Sequence, residues 1–401
     1  MTPSPIVSRQ EPDVHPVRLA HLVSRPIHYM APLYRELEAR PEVDLTVYFG
    51  SDASVRGYVD REYGREVRWD TPLLDGYRSR FLPSAAGRNA HGGAPNWDVV
   101  REVLVERYDA IWVHGWAQAN TWLAAAGSPF TGARMLIREE QTLLHGRPWY
   151  KTAVKEVALR ALFRRSFGLF IGEENRRWLL HYGMPEERLF PARYCVDNDY
   201  FRGRAEELGS WRDGIRAELG LCGPTVLYVA KLIPKKAPFL LIEAFARVRA
   251  SRECSLLMVG DGELRGAAEE VVTRLRVPDV RFAGFMNQSE VARAYVAADV
   301  FCLPSVLHET WGLAINEALN FGLPVVCSDK VGCAADLVRP GWNGFVVPAG
   351  EVEPLAEALE LLVAQPALRR QLGNHGRSLV GEYSIKACAD GIVAACLADR
   401  G

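Results

Sequence analysis

Residues 300–326 read VFCLPSVLHETWGLAINEALNFGLPVV. Val300–Leu303 is a short apolar run closed by Pro304 and Ser305, and a second run begins at Leu323. Between them a helical pattern ends at Gly322, so the stretch reads as strand, loop, helix and strand. Glu309 follows the first strand and Gly312 marks a turn before the helix. Glu309 and Glu317 stand eight positions apart. That is about 12 Å along a helix, too far to share one proton transfer. They therefore have separate tasks. A nucleotide sugar would span such a gap: the amides of Trp311, Gly312 and Leu313 at the helix start can hold a phosphate, with one carboxylate beyond each end. Taken alone, two glutamates at this spacing also suit a solvated helix face.

The same alternation extends in both directions. PTVLYVAKL, SLLMVGDG and DVRFAGF precede the quoted stretch, and GFVVPAG follows it. Upstream, from Val17, come VRLAHLVS, VDLTVYFG, YDAIWVHG, ARMLIREE and FGLFIG. Short apolar runs alternating with helical patterns define an α/β protein, here two Rossmann-like, doubly wound parallel-sheet domains. One helix starts at Pro238, where proline suits the first turn, and another near Ser289, which can cap its own helix. The polar stretch VDNDYFRGRAEELGSWRDG separates the two series and places the domain boundary near Gly203. The expected division is a flexible tail over 1–16, a first domain over 17–203, a second over 204–383 and a C-terminal helix over 384–401. Residues 51–95 are long and irregular between two strands. They read as an acceptor-side loop or as disorder.

Ligands of open parallel sheets bind beyond the carboxyl ends of the strands, so two such domains facing each other enclose a cleft. In YVAKLIPKKAPFLLIEAFA, Lys231 and Lys236 follow a strand end and can both point at a diphosphate. Seven of the 48 basic residues are lysine, yet Lys231, Lys235 and Lys236 fall within six positions. A solvated charge run is the plainer alternative.

The 401 residues are 48% apolar and 24% charged, with a net charge of −1. That balance argues against the broad positive field of a nucleic-acid binder. None of the eight cysteines stands in a CxxC spacing. The polar, proline-rich N-terminus is unlike a secretory signal, and no run reaches the length of a membrane span. A cytoplasmic location follows as the expectation. WYKTAVKEVALRALFRRSF is the best candidate for peripheral contact with the inner membrane face, but its cations fall on opposite sides of a helix. Asp197, Asn198 and Asp199 spell the DxD of a metal-dependent glycosyltransferase, and equally a turn. Gly260, Gly262 and Gly266 read GxGxxxG, the wrong spacing for a dinucleotide fingerprint.

From about Val17 to its end the sequence resembles the family-4 retaining glycosyltransferases of the GT-B fold. The most specific piece is the E-x7-E signature, HETWGLAINEA, with GLPVVCSDKVG and GWNGFVVPAG after it. MVGDGELR, FAGF and AADVFCLPS match further family segments in order, and IGEENRRWLLHYGMPEERLFPARYCVD resembles the family's end of the first domain. The family's VGRLxxxKG appears as VAKLIPKKA. Lys231 thus replaces an arginine and loses its bidentate fork, and alanines replace both glycines.

The resemblance implies that Lys231 and Lys236 hold the donor diphosphate and that Glu317 holds the ribose hydroxyls. It gives Glu309 the transferred sugar, with Thr310, Trp311, Gly312 and Leu313 around the phosphate. Gly260, Phe285 and Met286 fall in the segments that hold the base, largely through backbone groups. His114, ending IWVHG, aligns with the histidine beside the donor sugar, so Glu309, His114, Lys231 and Lys236 form the expected catalytic set. The glycine pair of the family's first loop is missing from LVSRPIHYMAPLYREL. Ser24, Arg25 and His28 are candidates for that cleft edge, with Arg138 and Glu139 at a neighbouring strand end. Nucleotide-diphosphate sugar is then a substrate, with no cofactor or metal, and the acceptor and oligomeric state stay open. A GT-B epimerase and an inactive nucleotide-sugar-binding subunit are the alternatives.

Overall fold

The computed structural model describes residues 15–60, 62–82, 97–144, 149–307 and 309–398. Most of the expected tail, the SAAGRNAHGGAP part of the irregular loop, and His308 lie outside these residues. So do the side chains of 149–154, which include Lys151 of the surface-helix candidate.

The first sheet has seven parallel strands. In chain order they are β1 (Val17–Val23), β2 (Val43–Phe49), β5 (Ser79–Phe81), β6 (Ala110–His114), β7 (Arg134–Arg138), β8 (Ser166–Phe170) and β9 (Leu189–Pro191). Their order across the sheet is β5-β2-β1-β6-β7-β8-β9. β3 (Tyr58–Asp60) and β4 (Arg65–Val67) form a separate antiparallel hairpin. The second sheet contains β10 (Thr225–Val229), β11 (Ser255–Val259), β12 (Val280–Gly284), β13 (Val300–Leu303), β14 (Val325–Ser328) and β15 (Gly344–Val347). It runs β12-β11-β10-β13-β14-β15, again all parallel.

Both orders reverse direction once, between β1 and β6 in the first sheet and between β10 and β13 in the second. These are the switch points where a crevice opens beyond the strand ends. The central strands are apolar on both faces because helices cover both, and β1, β11 and β13 are buried almost throughout. The irregular segment resolves in part into the hairpin and the edge strand β5, which pairs with β2.

Two expectations need correction. The helix near Ser289 spans Gln288–Ala297 and is capped by Asn287, which forms a capping box with Glu290. The Ser289 hydroxyl instead donates to Asp70 of the first domain. Gly203 lies inside the helix Asn198–Gly209, which packs on the helices Gln288–Ala297 and Leu313–Asn320 of the second domain. The chain therefore crosses between the domains before it, between Ala192 and Asp197. The polar composition there reflects a surface helix and not a linker. Asp197 caps that helix by accepting from the Tyr200 amide at 2.9 Å. The buried Asn198 donates to the carbonyls of Val380 and Tyr383. Asp197–Asp199 is thus a helix start.

After the second domain the chain returns. The helix Ile385–Leu397 packs on the helix Ala31–Glu38 and on β8 and β9. Cys388, Ile392 and Cys396 complete the core beneath the first sheet.

Candidate active site

The residues that follow β10 and β13 meet at the second sheet's switch point. Beyond β10 the chain makes a short 3-10 turn, Pro234–Lys236, and the Tyr228 hydroxyl fixes the loop by donating to the Lys231 carbonyl at 3.0 Å. Beyond β13, the Val306 amide donates to the Lys235 carbonyl at 2.8 Å, which joins the two loops. The Lys236 ammonium is paired with the Glu309 carboxylate, which also accepts from the Ser305 hydroxyl at 3.0 Å. Glu309 is 8% exposed, so both of its partners act in a poorly solvated setting.

Gly312 has φ +103 and directly precedes the helix Leu313–Asn320. The left-handed turn opens that helix, whose first amides have no carbonyl partners within it. The Trp311 side chain does different work. Its ring stacks on Tyr194 with centroids 5.9 Å apart, and its Nε1 donates to Asn316 Oδ1 at 2.8 Å. Its ring also lies so close to Gly172 of the first domain that a Cβ there would collide with it, so it is a wedge between the domains. Thr310 is half-buried on the same turn.

Glu317 lies one helical face further on and accepts from the Tyr295 hydroxyl at 2.6 Å. Burial pushes its carboxyl up to about 7. Gly260 lies against the start of the lysine loop, and Phe285 packs edge to face on Tyr63. Gly260 holds φ +133, and a Cβ there would collide with the Ala230 carbonyl. Met286 is half-buried against the second-domain core.

In the first domain, His114 ends β6 at the other switch point. Its Nε2 lies 2.8 Å from Glu140, which also accepts from the Tyr194 hydroxyl at 2.6 Å. Burial alone would raise the Glu140 carboxyl, but His114, Tyr194 and Arg138 together hold it down to about 2. Glu140 is therefore ionised at any working pH. Tyr194 stacks on Trp311 as well, so one side chain joins the His114–Glu140 pair to the turn before the Leu313 helix.

Arg138 and Glu139, expected at a cleft edge, are both buried. They are 1% and 2% exposed and present almost no surface to a ligand in this structure. Arg138 lies over the Tyr194 ring and donates to Cys388 of the returning helix, and Glu139 accepts from the Trp116 amide. Burial pushes the Glu139 carboxyl up to about 8. Ser24 follows β1, Arg25 stacks over the Tyr58 ring and His28 packs 3.8 Å from the Trp69 ring. His28 and Tyr29 then line an interdomain cavity of about 180 Å³ with Tyr200, Gln288 and Glu317.

Sequence reasoning missed Glu140, Tyr194 and the hairpin's Asp60, Glu62 and Tyr63. Gly64 between two aromatic and charged runs was the one local signal of a hairpin. Nothing local tied Glu140 to His114.

Among the described residues no group of three or more His, Cys, Asp or Glu side chains is placed to hold a metal ion. No helix among them is long and apolar enough to cross a membrane.

The architecture is that of solved GT-B proteins. A glycosyltransferase from Rickettsia africae ESF-5 superposes with TM-score 0.75 at 14% identity, covering 96% of this chain and 99% of that one. Anabaena Alr3699/HepE, solved with UDP and glucose, gives 0.70 at 18% identity, over 94% and 98%. Fold and cleft thus define a GT-B protein. Its second domain is more specific: residues 215–379 match the family described as glycosyl transferases group 1. The alpha-D-kanosaminyltransferase of Streptomyces kanamyceticus is 30% identical over 211 residues, 52% of this chain and 53% of that protein. The lipopolysaccharide core biosynthesis glycosyltransferase LpsE of Rhizobium meliloti (strain 1021) is 36% identical over 170 residues, 42% and 48%. The chain matches about half the length of these curated relatives.

Proposed function

We propose that this protein is a retaining, metal-independent glycosyltransferase of family 4, moving a sugar from a UDP- or GDP-sugar to a saccharide, lipid-linked or small natural-product acceptor. The observation that carries the reading is the Lys236–Glu309 pair, held where the loop that carries Lys231 is joined to the loop after β13, just before the Leu313 helix. That end is joined through Tyr194 to His114 and Glu140. A neighbour of the same fold solved with UDP and glucose supports the donor class.

In this reading the bond between the anomeric carbon and the diphosphate oxygen breaks while the acceptor oxygen approaches from the same face. Lys231, Lys236 and the helix amides take up the charge of the leaving diphosphate. A donor phosphate oxygen receives the acceptor proton, so no protein nucleophile is required. Glu317 accepts from the ribose hydroxyls, Glu309 positions the sugar, and His114, held by Glu140, borders it. Catalysis is then mainly placement and fixed electrostatics. The eight free cysteines suit a reducing, cytoplasmic setting.

Thermal stabilisation across UDP, GDP, ADP, TDP and NAD, with and without EDTA, tests the donor class. One nucleoside diphosphate should raise the melting temperature regardless of EDTA, and Lys236→Ala should abolish the shift. Stabilisation by NAD alone, or by a diphosphate only with metal, would overturn the reading.

A further inference from the structure

The hairpin β3–β4 leaves the first domain and lies across the lysine loop of the second. Asp60 and Glu62 reach the Lys231 ammonium at 3.0 and 2.8 Å, and Glu62 also reaches Lys235 at 3.2 Å. The Tyr63 ring sits between Lys231, 4.6 Å from its centroid, and Phe285, 5.1 Å away edge to face. Tyr63 is also near enough to Glu317 to feel its charge. Two anionic groups and then a flat ring thus meet two lysines and an aromatic wall, the order of groups in a nucleoside diphosphate.

Beyond the hairpin the chain is pinned to the second domain. The Arg68 carbonyl accepts from Asn287 at 2.8 Å, and Asp70 accepts from Ser289. The hairpin itself belongs to neither large sheet, and Gly57, at φ +94, leads into it. Two three-residue strands have little stability of their own, so the unit can leave without breaking either sheet.

We propose that the hairpin Tyr58–Val67 is an internal mimic of the nucleoside diphosphate, which the donor must displace: Asp60 and Glu62 occupy Lys231 of the donor-site pair, and Lys235 beside it, in place of phosphates, and Tyr63 covers the wall at Phe285. The inference rests on the donor-site reading above. It makes donor affinity the difference between two occupants of one site, so weakening the internal one strengthens the other.

Titration calorimetry with UDP, GDP, ADP and TDP on the full chain, the Asp60→Asn/Glu62→Gln variant and Tyr63→Ala tests it. The Asp60→Asn change keeps a side-chain oxygen for the Glu62 and Tyr63 amides, from which Asp60 accepts at 2.9 and 3.1 Å, so the turn persists. A single cooperative melting transition without nucleotide confirms that each variant is folded. The double variant should bind the preferred diphosphate about tenfold more tightly, as expected for removing three partly exposed ion pairs. Tyr63→Ala, which changes no charge, should shift affinity in the same direction and so separates displacement from general attraction. Equal or weaker binding in the variants, with the unsubstituted protein still binding a diphosphate, would overturn the mimic and leave the donor site standing. No binding of any diphosphate by any of the three proteins would overturn both.

Discussion

Glu317 shows how burial sets the working range of a single carboxyl. Its folded pKa of about 7 lies above the ordinary value of 4.5 because desolvation outweighs the hydrogen bonds from Tyr295 and Gln288. The sign follows from proton uptake. Between about 4.5 and 7 the folded chain holds a proton that the unfolded chain releases, so this group favours folding at low pH and that contribution is lost as pH rises through 7. In the role proposed for Glu317, ribose binding runs the other way, since accepting from both hydroxyls needs the carboxylate. Nucleoside diphosphate affinity should therefore fall as pH drops below 7, by at most about tenfold per unit. Calorimetry between about pH 5.5 and 8.5 checks this, and Glu317→Gln should flatten the dependence. A steep fall retained in that variant would move the titrating group elsewhere.

At the scale of elements, the site depends on how closely three strand-end loops pack. Gly260 sits against the Ala230 carbonyl at the start of the lysine loop, and its amide donates to the Gly284 carbonyl at 2.8 Å. Any Cβ there must push that loop away, and φ +133 is strained for every residue but glycine. Gly260→Ala should cost about 1–3 kcal/mol of stability. It should also weaken diphosphate binding, because Lys231 rides on the displaced segment. Thermal melts with and without nucleotide separate the two effects. Unchanged melting and binding would mean that the loop relaxes freely.

The whole molecule is closed by the chain's return to its first domain. The helix Ile385–Leu397 buries Cys388, Ala389, Ile392, Val393, Ala395 and Cys396 against the first sheet's helices and strands. A single fully buried isoleucine represents about 1.5–3 kcal/mol of transfer free energy. Gly391 sits so close to the Pro191 carbonyl that no Cβ would fit. Truncation after Tyr383 should therefore expose the underside of the first domain and lower folding yield and melting temperature together, with activity lost in parallel. A truncated chain that melts at the full-length temperature would show that this surface is stable uncovered.

The two αβ series, their parallel sheets and the helix starting at Pro238 were legible in the sequence, because strand and helix periods are local and repeat within a few residues. The loop positions of Lys231, Lys236, Glu309 and Gly312 were legible for the same reason: each follows a strand end by a fixed short count. What only the tertiary structure decided are contacts between distant residues. Glu140 reaches His114 across 26 positions, and Tyr194 reaches Asn316 across 122. Asp60 meets Lys231 across 171 positions, through a hairpin whose polar residues look like loop until the second domain's cations are placed beneath it. The sequence determined which segments would be strands, helices and strand-end loops. Packing of one domain on the other decided which charges meet, because Coulomb and hydrogen-bond partners depend on distance in space and carry no period along the chain.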